Sequence, residues 1–567
     1  RAANKQYSLM EEFMKTLRNL IMCFVLLCGA AVLMAQVPEW QWAAQAGGIR
    51  NDFGWSIAID SEGNQYVTGP FRSTATFGSH TLTSSGSEFD YSDIFIAKLD
   101  PNGNWLWAVQ AGSNFADVGL DIAVDDSSNV YVTGEFMSTA TFGSHTLTAG
   151  GDWDMFVAKL DTDGNWLWVV QAGGARDERD SGRGIALDKA GNVYVTGCFQ
   201  GTTAFGDLSL TSSGGRDIFV AKLTSSGSWA SVAQAGGSSE DLGYGIVIDD
   251  EGNAYVTGEF SGTATFGGQT LSTGSSYNSD IFIAKLNAGG GWAWAVQAGG
   301  SGSEQGRRIT LDGAGKVYVV GDFNGTATFG SQTLTATGGR AMFVAILDDS
   351  GNWDTVVHVG KSVGLDIVLD GAGNAYVTGT FNGTATFGNY TLTSPIGDRS
   401  HAFAAKMSPA GDWFWAVQSE GSGEGGGYCI GLDDAGNSYV SGYCKGTIAF
   451  GSHNFTAYGD SDIFVAKLGS GTPVDDYLAP QVASRLHDAW PNPFNKATGT
   501  LIKADIPAQS TGTLSVYNLR GQRVASYELS SGTHEINFAG EKLPAGIYFY
   551  SLQCGSFRET KKLVLLR

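Results

Sequence analysis

Short runs of apolar residues return in the same order seven times along residues 40–468. One unit reads GWSIAIDSEGNQYVTG at 54–69, continues through a Ser/Thr-rich stretch, and ends DIFIAKLDPNGNWLWAVQAG at 93–112. Four strands are predicted in it: A over 57–60, with large aliphatics at Ile57 and Ile59, B over 65–69, C over 93–99, and D over 105–112. These runs are apolar on both faces, as expected of sheets sandwiched between neighbours. The A-to-B connection, D-x-x-G-N in most copies, is hairpin chemistry, because Asp or Asn bonds the local backbone and Gly accepts positive φ. The glycine closing strand B recurs at 69, 134, 197, 258, 321, 379 and 442. That spacing is too long for most helical repeats, and every element within it has strand character.

Counting the copies sharpens the picture. D strands start at Trp40, Trp105, Trp166, Trp229, Trp292, Trp353 and Trp413, and C strands end at Leu99, Leu160, Leu223, Leu286, Leu347, Met407 and Leu468. The series therefore opens with a D strand and closes with a C strand. A linear array would leave two incomplete ends, whereas a ring completes its last blade with residues 40–46 as the outer strand. The expected fold class is all-β: a seven-bladed β-propeller over 37–468, with four-stranded blades and the N-terminal strand closing the last one. The pattern GIALDKAGNVYVTG at 184–197 followed by DIFVAKL at 217–223 resembles the SBBP type of β-propeller repeat of bacterial exported proteins. The resemblance implies the fold and almost no biochemistry, since propellers host unrelated functions.

Residues 469–484 read as a linker, and 485–567 lack the repeat. This last stretch contains PNPFN at 491–495, LSVYNLRGQ at 514–522, LPAGIYFYSL at 543–552 and a basic ending, KKLVLLR. Its alternating runs predict a small antiparallel, Ig-like β-sandwich. The order of these elements resembles the type IX secretion sorting domain of Bacteroidetes-like bacteria. The resemblance implies recognition by the type IX secretion machinery through Pro491, Asn492, Pro493, Phe494, Asn495, Gly546, Tyr548, Lys561 and Lys562, followed by release or attachment at the cell surface. An ordinary accessory sandwich is the alternative.

Residues 14–35, MKTLRNLIMCFVLLCGAAVLMA, have the basic start, apolar centre and small terminal residue of a secretory signal peptide. Residues 1–13 precede this Met-Lys start and read as an upstream or untranslated segment. No second apolar stretch of about 20 residues follows, so a mature chain without a membrane span is expected. The resulting expectation is a secreted or outer-surface protein, and a monomer.

Charge and glycine refine this. The chain carries a net charge of −22 and 81 glycines. Residues 1–35 hold four basic and two acidic side chains and residues 484–567 ten and six, so 36–483 holds 20 basic and 48 acidic, a net of −28. Such a field repels polyanions and argues against nucleic acid as a partner. Four cysteines follow the leader, too few for a disulfide framework, and only Cys429 and Cys444 lie close enough in one hairpin to consider pairing.

Seven copies permit an internal test: what every blade shares is structural, and a site needs departures. The recurrent Asp at the A-to-B turn lacks calcium-loop spacing and reads as a turn cap. Most Trp residues lie on D strands and read as packing between blades. The D-to-A loops carry Asp52, Asp117, Asp180, Asp241 and Glu304 at one equivalent place, either an acidic ring for cations or basic ligands, or loop caps. Just before strand A the copies diverge, giving Trp55, Arg183, Tyr244, Arg307 and Tyr428 at one position and Asp121, Arg308 and Asp366 at the next. As inner-strand starts line the axial opening, this set is the candidate ligand pocket; the alternative is tolerated variation. The B-to-C connections contain TATF-like and TLT-like segments, expected to form small hairpins crowning the same face, whose variable tips suit recognition.

No catalytic residue, metal or cofactor is assigned. The histidines do not cluster in sequence, and no nucleophile elbow, HExxH or P-loop pattern occurs. The expected function is a binding scaffold for an extracellular glycan, peptide or surface protein. A polysaccharide hydrolase or lyase, or a purely structural or adhesive protein, are the alternatives.

Overall fold

Strands A to D pair in chain order to make each blade. The computed structural model of the chain describes residues 37–567 except 87–90, 176–178, 274–277, 470–484, 488, 497–498, 507–510, 531, 541, 555–556 and 567. The signal peptide and residues 1–13 lie outside the described residues, as does the linker beyond Gly469. The chain folds as two compact units that divide at 472/473.

In the first unit, blade 1 runs outward from the axis as Ser56–Ile59, Gln65–Arg72, Ser92–Leu99 and Trp105–Gly112, all antiparallel. Six more four-stranded sets repeat this order. In the seventh, the outer strand is Trp40–Gly48, paired with Asp462–Leu468 in a register that sets Ala44 opposite Val465. The inner strand of blade 7 lies beside that of blade 1, which closes the ring. B and C strands are buried on both faces, and that burial explains their unbroken apolar runs.

The small hairpins do not crown the loop face. Each lies against the outer strand of the preceding blade, as where Thr141 and Phe142 pair with Gly112 and Ala111. The reason is legible in T-A-T-F: Ala140 and Phe142 are buried and the two threonines exposed, so the segment has one face to bury. Phe142 meets Trp166 edge-on at 5.4 Å, and the same Phe–Trp contact recurs around the ring, including Phe450 on Trp40. The hairpin thus covers an otherwise free strand edge.

The A-to-B turn aspartates are caps. Asp60 accepts from the backbone N–H of Glu62 and Asn64, from the Asn64 amide and from the Tyr66 hydroxyl. These bonds outweigh the effect of burial and hold its carboxyl below the usual range. The strand-C lysine ends over the strand-B tyrosine and near this turn, as Lys285 does at 4.7 Å from the Tyr255 ring and 3.8 Å from Asp249.

The second unit packs a sheet of Arg485–Leu486, Thr500–Ile506 and Gly532–Phe538 against one of Arg523–Leu529, Gly512–Asn518, Gly546–Cys554 and Phe557–Leu565. Both contribute to one core, which includes Ile502, Phe538, Val516 and Leu563.

Candidate functional site

The divergent positions before strand A share a backbone cause. In blades 2 to 7 the A-to-B register slips at this point, leaving Leu120, Arg183, Tyr244, Arg307, Leu365 and Tyr428 unpaired as β-bulges. Trp55 takes the equivalent place in blade 1, its N–H on the Thr68 carbonyl at 2.9 Å. A bulge re-aims the extra side chain out of the sheet. Because the bulged residue leaves the ladder, the fold tolerates Trp, Arg, Tyr or Leu there. The glycine preceding it does not vary: a Cβ on Gly182 would stand 2.2 Å from Thr133 Oγ1 of the neighbouring blade.

The next position forms a plug rather than a pocket. Arg308 donates from both terminal nitrogens to Asp121, at 2.7 Å each, and its Nε lies 3.6 Å from Asp366. Asp121 also accepts from Ser56 Oγ and the Ile185 N–H, and Asp366 from the Ile430 N–H. Burial would lower the Arg308 pKa, but the two carboxylates outweigh it and keep the guanidinium charged. Asp121, Arg308 and Asp366 therefore satisfy one another across the axis, correcting their assignment to the ligand pocket.

Cys429 belongs to the same layer. Its thiol donates to Asp366 Oδ2 at 2.7 Å, and burial together with that carboxylate pushes its pKa well up. The Cys429–Cys444 pairing does not form, and both thiols are free. Cys429 stands opposite Ser441 and Cys444 opposite Gly425, so the register separates them and sends them into different hydrophobic clusters.

Above the plug, the bulged residues make two arcs. On blades 3 to 5, the Arg183 and Arg307 guanidiniums lie 5.2 and 5.7 Å from the Tyr244 ring, and the Tyr244 hydroxyl donates to Glu259 at 2.6 Å. Arg307 pairs with Asp322 at 3.2 Å, and Arg179 with Glu135 at 2.6 Å. On blades 7 and 1, Phe53 stacks on Trp55 at 6.4 Å and meets Tyr428 and Tyr443 edge-on, while Tyr428 stacks on Tyr443 at 5.4 Å. The structure thus brings Arg183, Tyr244 and Arg307 together, and Trp55 with Tyr428. Leu120 and Leu365 fall between the arcs in blade order.

Besides Phe53 and Arg179, four participants were missed in the sequence: Glu135, Glu259, Asp322 and Tyr443. These four follow the strand-B glycine directly, where the copies read Pro70, Glu135, Cys198, Glu259, Asp322, Thr380 and Tyr443. The divergence test applied at this second position would have found them.

The acidic residues of the D-to-A loops present no ring to solvent. Asp52, Asp117, Asp180, Asp241 and Glu304 are fully buried and serve as loop caps. Asp52 accepts from the Gly48 and Arg72 N–H groups, Asp241 from those of Gly237 and Ser261. Asp52, Asp117, Asp241 and Glu304 each lie beside the strand-C aspartate of the preceding blade. Burial, with that neighbouring carboxylate adding, pushes Asp52, Asp117 and Asp241 up to about 7. The pairing is shared or absent as a unit: where strand C starts with Ala341 or His401, the loop position is Ser362 or Gly425. Among the described residues, no group of three or more His, Cys, Asp or Glu side chains is placed to hold a metal.

In the second unit, Asn492 clamps the final strand, its side-chain amide donating to the Lys562 carbonyl at 2.7 Å and its Oδ1 accepting from the Val564 N–H at 2.9 Å. The Phe494 backbone bonds Val564 and Leu566, and its ring is buried 6.0 Å from Phe538. Pro491 and Pro493 follow cis bonds on either side of Asn492. Asn495 accepts from the Gly499 N–H. Gly546 opens the strand on which buried Tyr548 bonds the Pro544 carbonyl. Lys561 lies 3.7 Å from Glu559, and Lys562 is exposed.

Comparisons with known proteins agree with this division. Residues 41–69, 167–197 and 232–259 match the SBBP beta-propeller repeat, and 488–566 match the secretion system C-terminal sorting domain. An uncharacterized WD repeat-containing protein of Acanthamoeba polyphaga mimivirus is 24% identical, over 67% of this chain and 34% of its own. The regulatory protein FlaEY of Caulobacter vibrioides is 26% identical, over 52% and 32%. The chain thus spans about a third of the length of these relatives. Among solved structures, the Dos1 propeller is similar at 9% identity and TM-score 0.39, covering 77% of this chain and 97% of that one. PorZ of Porphyromonas gingivalis is similar at 11% and 0.22, covering 91% and 81%. Among the described residues no helix is long and apolar enough to cross a membrane. The chain carries SBBP beta-propeller repeats followed by a type IX secretion sorting domain, which directs it to the cell surface or beyond.

Proposed function

We propose that the propeller is a binding module displayed on or released from the cell surface, and that it recognises an extracellular glycan, peptide or surface protein at the mouth of its axis. One observation carries this reading. The bulged position, and the strand-B position beside it, differ from blade to blade while the scaffold around them repeats, and they bring a cationic arc and an aromatic arc to one face. Rigid elements carrying unlike side chains at equivalent places suit recognition. Next to the mouth, Arg308, Asp121 and Asp366 join blades 5, 2 and 6 across the axis. The carboxylates of the mouth are engaged by Arg179, Arg307, Tyr244 and Gln305, which supports binding over hydrolysis.

Glycan-array and protein pull-down experiments with the exported chain test this, with W55A and Y428A as mouth variants. Binding that both variants weaken by about tenfold or more supports the proposal, in line with truncation of central aromatic contacts. Binding that neither variant changes places the ligand elsewhere and overturns it.

A further inference from the structure

Arg183 stands apart on the cationic arc. It makes no hydrogen bond or ion pair with any described residue, and its Nε is sealed from solvent. Its neighbours are engaged: Arg179 by Glu135, Arg307 by Asp322, and Arg308 by Asp121. The nearby Glu259 is also committed, one oxygen to the Tyr244 hydroxyl and the other to Ser279 and Gln305. The Tyr244 ring lies 5.2 Å from the guanidinium, and the Glu135 and Glu259 carboxylates favour its charge without bonding it. A partly buried guanidinium with unmet donors is costly. Its planar fork fits a carboxylate bidentately. Such a group is poised for an acceptor that arrives with the ligand.

The opposite arc narrows the ligand class. Phe53, Trp55, Tyr428 and Tyr443 offer ring faces with polar edges, a surface that suits the C–H faces and flanking hydroxyls of a sugar ring. The net charge of −28 over 36–483 opposes a polymer charged at every residue but not an isolated acid. We infer that the mouth binds a glycan capped by one acidic sugar, whose carboxylate pairs with Arg183 while a sugar ring stacks on the Trp55–Tyr428 arc. This rests on the mouth being the binding site proposed above.

The test is calorimetry on the full chain with a glucuronic-acid-capped oligosaccharide and its carboxyl-reduced, glucose-capped counterpart. The wild type is expected to prefer the acid by about tenfold or more, the value of one charge-assisted contact. R183M should abolish that preference while keeping residual binding to both, and W55A should weaken both equally. R183M should also melt close to the wild-type temperature, since it removes no hydrogen bond or ion pair made within the fold. Equal wild-type affinity for the two glycans, or a preference surviving in R183M, would overturn the inference. So would a large loss of stability in R183M, which would make Arg183 structural. If neither glycan binds but a peptide does, and W55A weakens that binding, the acidic sugar falls and the mouth stands. If W55A and Y428A leave all binding unchanged, the mouth itself is wrong.

Discussion

Arg308 and Asp121, 187 residues apart in sequence, join blades 5 and 2 across the axis through two parallel bonds of 2.7 Å. Both occupy the place after the bulge, so one register position supplies the two halves of the pair. D121A leaves the guanidinium facing Asp366 alone and should cost about 3–5 kcal/mol, the usual result of breaking a buried pair from one side. The triple variant R308M/D121N/D366N removes the charges together and should recover much of that loss. Urea denaturation of both variants checks this. A loss below about 1 kcal/mol for D121A would mean that the pair behaves as an exposed one.

Gly112 ends strand D against Asp93, where a Cβ would lie 2.4 Å from the carboxyl carbon. G112A should therefore destabilise blade 1 by about 1–3 kcal/mol through overpacking. Blade 5 shows the relieved version, with Ala341 in place of the aspartate. D93A/G112A should accordingly cost clearly less than the sum of its single substitutions, a coupling readable in a double-mutant cycle. Additive costs would show that the aspartate does not set the requirement for glycine.

The buried carboxylate pairs give the ring a pH dependence of definite sign. Burial raises Asp93, Asp217 and Asp280 to about 6, and Asp52, Asp117 and Asp241, with neighbouring carboxylates adding, to about 7. A carboxyl whose folded pKa is raised stabilises fully below its unfolded value, and the contribution is lost as pH rises through the folded one. Melting temperature should climb as pH falls from 8 towards 5. Below about 4 the turn caps such as Asp60 and Asp125, whose values are lowered, protonate and reverse the trend. D93N/D217N/D280N/D462N should flatten the slope between pH 5 and 8. A wild-type profile already flat over that range would exclude titration of these groups there.

Strand order, copy number and closure were readable from sequence because each rests on a local apolar pattern repeated seven times. Trp40 without a preceding C strand and Leu468 without a following D strand already imply the pairing seen between Trp40–Gly48 and Asp462–Leu468. The destination of the hairpins was not, since T-A-T-F shows that one face is buried but not against what. The mouth was half readable. Divergence singled out Arg183, Tyr244 and Trp55, yet it also drew in Asp121, Arg308 and Asp366. Nothing local distinguishes a side chain that a bulge turns out of the ladder from the next one, which meets a partner three blades away. The acidic loop residues stayed open between a ring and loop caps for the same reason: their backbone partners, such as the Arg72 N–H on Asp52, come from a different strand.

Asn492 links the PNPFN segment to the end of the chain, accepting from the Val564 N–H and donating to the Lys562 carbonyl. Both bonds are backbone-directed, so they depend on the carboxamide and not on charge. N492A removes them together and leaves the final strand held by its ladder to Gly546–Cys554 and by the Phe494 backbone. Stability of the second unit should fall by about 1–2 kcal/mol, in keeping with two modest hydrogen bonds. If the secretion machinery reads a fixed arrangement of this strand and its exposed Lys562, the fraction of protein reaching the surface or medium should fall with it. N492D keeps the acceptor for Val564 but loses the donor to Lys562, and should fall between the two. Quantitative blotting of cell, surface and medium fractions, beside melting of the purified chain, checks both effects. Full export with a loosened final strand would show that the machinery reads sequence near the terminus irrespective of how the sandwich holds it.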